Sequence, residues 1–443
     1  MENRETLSRR NWLVLLVFGL AGQIAWSVEN MYFNLFVFDT IAPRLDSITL
    51  MVQLSGIVAT VVTLIAGTLS DKVGNRSKFI SIGYIIWGIS VALFGFISPD
   101  LISRLFSTDI SKAVSIALIA VIVGDCIMTM FGSTANDACF NAWVTDNTRP
   151  SFRGRVEGVL AILPLIAMLI VAGGFGILVS FLQYSSVFLA LGILISLCGV
   201  FGLFTMKDSE NLKPSGTFGD IFYGFRPSVV KKNAPLYLTF VLVVIYGIAC
   251  QVFMPFLIIY MKTYLGFSVL EYSAVFGVAI VAGAAINLYL GRLSDRKNKV
   301  SLMYFATVIM SFGLFMMYIA RGMSKISTLI FFGLSGFVMI TGYIFTLSLS
   351  GSLMRDFTPE GAAGKLQGVR MVFSVLIPMI VGPMIGNAIN KAMNIPLENA
   401  GADAMTTSYI PAPEIFLVGG AITLLMLILI PVLKRSVDKG REE

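Results

Sequence analysis

The chain has 443 residues, of which 56% are hydrophobic and only 13% are charged. A soluble protein of this length needs far more charge to cover its surface, so the composition excludes an ordinary soluble fold and indicates an integral membrane protein. The formal net charge is +7, and the chain has no histidine, which excludes histidine-ligated metals and histidine-based catalytic triads.

Twelve apolar stretches each come close to the ~20 residues that a helix needs to cross a bilayer. In chain order they cover roughly residues 12–38, 47–69, 79–98, 113–140, 155–182, 184–205, 235–261, 270–291, 300–320, 326–350, 366–390 and 414–433. The longest polar connection separates the first six from the last six. We therefore predict an all-α integral membrane protein with twelve transmembrane helices, made of a six-helix bundle at 1–206, a cytoplasmic linker at 207–234 and a second bundle at 235–443.

The basic residues are concentrated on one side of the predicted membrane. With both termini on one side, 25 of the 32 Lys and Arg residues share that side, and the others are Arg44, Arg104, Lys112, Lys262, Arg321, Lys325 and Lys391. The positive-inside rule then predicts a multi-pass protein of the plasma membrane with both termini in the cytoplasm. The same bias accounts for the net charge, so no nucleic-acid partner is needed to explain it.

Two loop sequences occur twice, once in each half of the chain. Gly67-Thr-Leu-Ser-Asp71-Lys72-Val-Gly74-Asn-Arg76 is repeated as Gly291-Arg-Leu-Ser-Asp295-Arg296-Lys297, and the segment 146–158 is repeated as 356–368. The offsets are 224 and 210 residues, about half the chain. The duplication predicts two pseudo-symmetric halves, which is a common plan of secondary transporters.

The repeated loop sequences contain charged residues at the ends of predicted helices. We expect a cytoplasmic gate that holds in one arrangement of the halves and breaks in the other, with Arg76 or Lys72 pairing with Asp146. In the second copy, Asp295 would pair with Arg296, and Asp356 with Arg355 or Lys365. The alternative is a set of solvated loop charges that only follow the positive-inside rule. The predicted gate residues are Gly67, Asp71, Lys72, Gly74, Arg76, Asp146, Arg153, Arg155, Gly291, Asp295, Arg296 and Asp356.

The twelve-span plan and the first loop motif resemble those of the major facilitator superfamily. Its loop between helices 2 and 3 carries Gly, three residues, Asp, a basic residue, any residue, Gly and basic residues. The segment from Gly67 to Arg76 is similar to this signature, whereas Asn298 replaces the second glycine in the later copy. The resemblance implies the major facilitator fold and transport by alternating access.

Two further segments are similar to bacterial carriers related to the sucrose and glycoside-cation symporters. They are Trp26-Ser-Val-Glu29-Asn30-Met-Tyr-Phe33-Asn34 and Asn141-Ala-Trp143-Val-Thr-Asp146. This resemblance implies a cation-coupled transporter of a sugar or glycoside. Melibiose-type members of the group bind the cation with carboxylates on helices 2 and 4, whereas residues 47–69 of this chain carry no carboxylate.

Two acidic residues lie at membrane depth, where an ionisable group costs roughly 2.5–3.5 kcal/mol on insertion scales. Glu29 lies past the middle of the first predicted helix. Asp125 lies near the centre of the fourth, where Thr129 and Asn136 continue its face at helical spacing. We expect cation coupling at Asp125 and Glu29, because such a carboxylate can bind a proton or Na⁺ on one side of the membrane and release it on the other. The alternative is hydrogen bonding between helices.

Polar and aromatic side chains within the spans are candidates for binding a small polar solute. Gln23, Asn30 and Asn34 are spaced to share one face of a regular first helix. Each candidate also has a structural alternative, which is hydrogen bonding between helices, core packing or, for Arg370, snorkelling to the membrane surface. The substrate-binding set is Gln23, Trp26, Asn30, Asn34, Asn136, Asn141, Tyr246, Gln251, Asn287 and Arg370.

These features favour a proton- or sodium-coupled symporter of a sugar or glycoside that functions as a monomer in the bilayer. A proton-coupled multidrug or metabolite exporter of the same fold is the alternative, because 34 Phe and 22 Met residues suit a wide apolar cavity. An enzyme is not expected, since the chain has neither a Gly-x-Ser-x-Gly motif nor a metal-ligand set. No cofactor is expected beyond a bound proton or Na⁺. The substrate, the coupling ion and the direction of transport stay open.

Overall fold

The computed structural model describes residues 8–148, 153–209, 218–296, 298–359, 363–397 and 408–442. Within these ranges the chain is helical, and one isolated β-bridge joins Pro396 to Tyr409. Long apolar runs form helices in a bilayer because a helix satisfies all of its own backbone hydrogen bonds where no water is present.

The first half of the chain contains six spanning helices. Four are separate: α1 (Arg9–Ile41), α2 (Leu45–Val73), α3 (Arg76–Phe94) and α4 (Ile110–Asn147). The next apolar segment, Gly158–Thr205, has 48 residues, which is more than twice the ~20 that cross a bilayer. Gln183, with φ 63° and ψ 160°, interrupts the helix and divides it into α5 (153–182) and α6 (184–205).

The second half supplies the remaining six spans. They are α7 (Ala234–Thr263), α8 (Val269–Arg296), α9 (Lys299–Ile319), α10 (Lys325–Phe357), α11 (363–393) and α12 (Glu414–Asp438). Short helices occupy the connections at Pro99–Phe106, Phe218–Phe225 and Pro227–Lys232. The predicted all-α fold is confirmed, and the twelve predicted spans match these helices once the break at Gln183 is included.

Large apolar side chains are exposed along the spanning helices. Leu197, Phe204, Leu288 and Ile330 each expose more than half of their surface. A surface of this kind is unfavourable in water, whereas it matches the hydrocarbon of a bilayer. The chain is therefore a multi-pass membrane protein.

The chain divides into two compact units. One comprises Met1–Ala42 and Ile57–Ile221, and the other comprises Pro43–Gly56 and Phe222–Glu443. Residues 43–56 group with the later helices because they pack against α11, where the Gln53 side-chain amide donates to the Ile380 carbonyl at 2.9 Å. The division into bundles 1–206 and 235–443 about a linker remains a prediction.

Helices α3 and α6 of the first unit approach each other closely through glycine. A Cβ atom added to Gly88 would lie 2.3 Å from the carbonyl oxygen of Gly192, and one added to Gly192 would lie 2.3 Å from that of Gly88. The two backbones therefore touch at a distance that only glycine permits.

Several spanning helices contain π-helical turns. They occur in α1 at Glu29–Phe33 and Val37–Ile41, in α4 at Ser133–Phe140, in α5 at Val171–Phe175 and in α11 at Val372–Leu376. Each bulge adds one residue to the helix, so the side chains after it are rotated by about 100° relative to a regular α-helix. Such turns are frequent at functional sites, and the first of them begins at Glu29.

Candidate functional site

In the first unit, Thr129 joins Glu29 of α1 to the face of α4 that carries Asp125. The Thr129 hydroxyl of α4 donates a hydrogen bond to Glu29 Oε1 of α1 at 3.1 Å. Asp125 precedes Thr129 by four residues, which places the two Cβ atoms roughly 5–6 Å apart on one face of α4. Asp125 and Thr129 are 2% and 1% exposed. We call Glu29, Asp125 and Thr129 the acid site.

The acid site is chemically suited to hold a cation. Carboxylates at membrane depth lose hydration, and two that lie near each other also repel, so a bound proton or small cation offsets both costs. A carboxyl that takes up a proton becomes a hydrogen-bond donor as well as an acceptor. The site can therefore exist in a charged and a neutralised form.

A second network beside the acid site joins α1, α3 and α4. Trp26 Nε1 donates to Asn136 Oδ1 at 3.3 Å, and Asn136 Nδ2 donates to the Tyr84 hydroxyl at 2.7 Å. That hydroxyl donates in turn to the Phe18 carbonyl at 2.7 Å. The Trp26 ring lies 5.0 Å from that of Trp87. Asn136 and Trp26, both predicted to bind substrate, are thus engaged in contacts between helices.

The polar stripe predicted along α1 runs through the π-helical turn at Glu29–Phe33. Asn30, the second residue of that turn, is exposed, whereas Asn34, the first residue after it, is buried at 3% exposure. Asn30 and Asn34 each donate to the carbonyl four residues earlier, at 2.8 and 3.4 Å. Gln23 is half-buried. Asn141 is exposed and its amide donates to the Asp137 carbonyl at 3.0 Å.

The candidates of the second unit are dispersed over α7, α8 and α11. The Tyr246 hydroxyl donates to the Tyr343 carbonyl at 3.2 Å, and Asn287 Nδ2 donates to the carbonyl of Thr341 at 3.1 Å. Gln251 is half-buried, and Arg370 is exposed near the start of α11. Tyr246 and Asn287 therefore join neighbouring helices, which is the structural alternative given for them above.

Arg76, at the start of α3, is the centre of the predicted gate in the first unit. Its side chain is 9% exposed, and its guanidinium lies 2.7 Å from Asp71 Oδ1 and 2.5 Å from Asp146 Oδ2. It also donates to Ser70 Oγ at 3.2 Å. A planar guanidinium can bind several oxygen atoms at once, which the exposed ammonium of Lys72 cannot do in this geometry.

The glycines of the motif differ in their structural need. Gly74 has φ 66° and ends α2, where a left-handed residue that is usually glycine closes the last turn. Its N–H donates to the Ser70 carbonyl at 2.9 Å. A Cβ added to Gly67 or Gly291 would meet nothing within 4 Å, so nothing in the structure explains those two glycines.

The second copy of the gate contains an ion pair that the sequence analysis did not predict. Lys299 Nζ, at the start of α9, lies 2.5 Å from Asp356 Oδ2 at the end of α10. Lys299 was not among the partners predicted for Asp356, which were Arg355 and Lys365. Arg355 directly precedes Asp356 in the helix, so its side chain leaves α10 about 100° around the axis from that of Asp356. The side chains of Arg153, Arg155, Asp295, Arg296 and Lys365 lie outside the described residues.

The Lys299–Asp356 pair repeats the Arg76–Asp146 pair. In each unit, a basic residue at the start of the third helix meets an aspartate at the end of the fourth. The offsets along the chain are 223 and 210 residues, close to those of the loop motifs. Asp356 lies 210 residues after Asp146, and Lys299, 223 residues after Arg76, begins the corresponding helix. The internal repeat would therefore have identified this pair from the sequence.

Sequence reasoning also missed Asp208, which follows α6. Its two carboxylate oxygens accept hydrogen bonds from the Ser77 N–H at 2.9 Å and the Ser77 hydroxyl at 2.8 Å. A carboxylate at the start of a helix is stabilised by the helix dipole. Beside it, the Trp143 indole donates to the Lys207 carbonyl at 2.9 Å. Asp208 belongs to no sequence motif. Its only sequence signal is its position just after an apolar helix, which does not by itself indicate a partner.

Sequence comparison gives a family match over most of the chain. The profile described as the Major Facilitator Superfamily matches residues 12–383. No curated protein sequence gives a significant match.

The fold is similar to those of several solved membrane transporters. A D-xylose-proton symporter is 13% identical and superposes with a TM-score of 0.72 over 95% of this chain and 96% of its own. A mutant form of the nucleoside transporter NupG is 14% identical, with a TM-score of 0.67 over 95% and 99% of the two chains. A bacterial homologue of the human lysosomal transporter Spinster, in an inward-facing and unoccupied conformation, is 12% identical, with a TM-score of 0.66 over 98% and 99%. At these identities the similarity concerns the fold.

Proposed function

The chain belongs to the major facilitator superfamily, and from this premise we propose that it is a cation-coupled symporter of a small polar solute. A membrane transporter of this family is not an enzyme. The proposal assigns the acid site to the coupling cation, with a proton or Na⁺ held by Asp125 and Glu29. The observation that carries it is the Thr129 hydrogen bond to Glu29 one helical turn from the buried Asp125.

Coupling requires that the cation and the solute favour the same conformation of the transporter. A cation that binds the acid site in one conformation stabilises that conformation, and a solute that prefers the same state then binds more tightly. The two ligands need not touch. The polar network of Trp26, Asn136 and Tyr84 gives one route, because it links the same helices, α1 and α4, that carry the acids.

A sugar or glycoside is the solute class that we propose. Support comes from the resemblance of the Trp26–Asn34 and Asn141–Asp146 segments to glycoside carriers, and from a fold shared with a D-xylose-proton symporter. The half-buried indole of Trp26, which packs on the buried ring of Trp87, offers an aromatic surface of the kind that packs against a sugar ring. We further propose that the protein acts as a monomer in the plasma membrane, with both termini in the cytoplasm.

The test is transport by purified protein in proteoliposomes. Counterflow of labelled sugars, glycosides and nucleosides would identify the solute, and an imposed proton or sodium gradient would then identify the coupling ion. We expect Asp125→Asn and Glu29→Gln to retain counterflow but to lose gradient-driven accumulation. The loss should be roughly tenfold or more, since coupling free energies of 1–3 kcal/mol change affinities about 5- to 150-fold.

The matched control is Asp109→Asn. Asp109 precedes α4 on the same chain segment as Asp125, is exposed and makes no capping hydrogen bond with its side chain. The Asp109→Asn variant should accumulate solute like the wild type. Unchanged accumulation by Asp125→Asn and Glu29→Gln would overturn the assignment of the acid site. Proton-driven efflux of dyes with no exchange of any sugar would instead favour the exporter.

A further inference from the structure

The segment Phe222–Lys232, which precedes α7, presents two aromatic side chains on one side. Phe222 is 68% exposed and Phe225 is 43% exposed. Both belong to the 3₁₀ helix Phe218–Phe225, in which residues three apart lie directly above each other. The two rings therefore form one outward-facing apolar pair.

The opposite side of the segment is fixed to the second unit. The Gly224 carbonyl accepts a hydrogen bond from the Tyr237 hydroxyl of α7, and a Cβ on Gly224 would lie 2.5 Å from Val369 Cγ2 of α11. Val229, which follows in the helix Pro227–Lys232, is buried. It belongs to an apolar cluster with Leu236, Tyr237, Phe240, Leu366 and Val369. These contacts fix the direction in which the two phenylalanines point.

The outward side of the segment is also strongly basic. Arg226, Lys231 and Lys232 are exposed, and residues 222–232 contain no Asp or Glu, so three basic and no acidic residues give a local charge of +3. The Arg226 guanidinium lies 5.7 Å from the centre of the Tyr223 ring. Helix α7 begins two residues after Lys232, at Ala234, which places the segment next to the end of a spanning helix.

We propose that Phe222–Lys232 is a binding surface for anionic phospholipids at the membrane surface. Aromatic side chains favour the boundary between headgroups and hydrocarbon, and clustered Lys and Arg residues attract anionic headgroups. Phe222 and Phe225 insert below the headgroups, while Arg226, Lys231 and Lys232 contact the lipid phosphates. The surface is separate from the acid site and does not depend on the transported solute.

The segment 100–112 provides a matched comparison within the same chain. It also combines exposed apolar side chains, Leu105 and Phe106, with the exposed basic residues Arg104 and Lys112. Asp100 and Asp109 balance these two charges, so its local charge is zero. The two segments therefore separate the effect of net charge from that of exposed apolar surface.

The test uses the full-length protein in lipid nanodiscs that contain phosphatidylcholine and a minor fraction of phosphatidylglycerol. A Phe222→Trp variant reports contact with lipid through quenching by brominated acyl chains, with the wild type as background for the native tryptophans. The lipid composition is kept constant, and the bromine is placed on either lipid. We expect quenching by brominated phosphatidylglycerol to exceed that expected from its mole fraction.

The basic residues are then neutralised together, as Arg226→Gln, Lys231→Gln and Lys232→Gln in the Phe222→Trp background. The enrichment of phosphatidylglycerol should fall by up to about fivefold for each charge removed, and high salt should reduce it in the parent. The double substitution Arg104→Gln and Lys112→Gln should leave the enrichment of phosphatidylglycerol unchanged. Quenching that follows the mole fraction, or enrichment that survives the triple substitution, would overturn the proposal.

Discussion

Replacing Arg76 by alanine should destabilise the first unit by about 2–3 kcal/mol. Hydrogen bonds to charged groups contribute about 1.5–3 kcal/mol each, and the guanidinium makes them to both Asp71 and Asp146. The side chains of these aspartates are 38% and 26% exposed, so water can hydrate the carboxylates that remain. The loss is therefore smaller than the 3–5 kcal/mol that follows the breaking of a fully buried ion pair.

The assay is thermal unfolding of the purified protein in detergent. For a cooperative unit of about 200 residues, a loss of ~2 kcal/mol lowers the Tm by roughly 4–8 °C. Arg76→Lys should give an intermediate Tm, because it keeps the charge but not the planar donor arrangement. Lys78→Ala, an exposed basic residue one half-turn further along α3, is the control and should unfold like the wild type. A Tm of Arg76→Lys equal to that of the wild type, or a Lys78→Ala as unstable as Arg76→Ala, would refute this role of the guanidinium.

Two further predictions concern helix packing and pH. Gly88→Ala should cost roughly 1–3 kcal/mol of stability through overpacking against Gly192. The control is Gly173→Ala, because its added Cβ meets nothing within 4 Å. Equal Tm values for the two variants would contradict the close approach of α3 and α6. Burial and the nearby charge of Asp46 raise the pKa of Tyr409, which lies before α12, to about 12, whereas an unfolded tyrosine titrates near pH ~10. The folded state thus keeps this proton longer, and stability should fall as the pH rises from about 10 to about 12. Tyr409→Phe should lose this slope, and parallel unfolding curves for the two proteins over that range would count against it.

The spans could be predicted from the sequence because membrane helices are defined by length and hydropathy. These are properties of a single segment and need no knowledge of its neighbours. The boundary between α5 and α6 was also recoverable, since 48 apolar residues exceed one crossing. By contrast, the grouping of residues 43–56 with α11 depends on contacts such as Gln53 with Ile380, which lie 327 residues apart and leave no local signal.

The candidate site was only partly predictable. Asp125 and Glu29 stand out because a charge at membrane depth is costly, and that cost can be read from one position. Their closeness could not be read in this way, because it depends on how α1 and α4 face each other. The partner of Asp356 was missed for the same reason, since Lys299 reaches it from another helix. The common face of Gln23, Asn30 and Asn34 stays a prediction, and a wheel with 3.6 residues per turn does not describe its last step, which crosses the π turn at Glu29–Phe33.

The two π turns of α1 have a consequence for how this chain tolerates changes of length. Each turn adds a residue between Glu29 and Ile41 beyond the number that a regular helix would need. The number of residues there, and not only their chemistry, therefore determines which side chains face inward among the buried residues 32–38. Deleting one residue would turn every later side chain of α1 by about 100°. In this segment an insertion or deletion disturbs the interior more than a conservative substitution does. When related sequences are aligned, a gap placed here therefore changes which residues are assigned to interior positions.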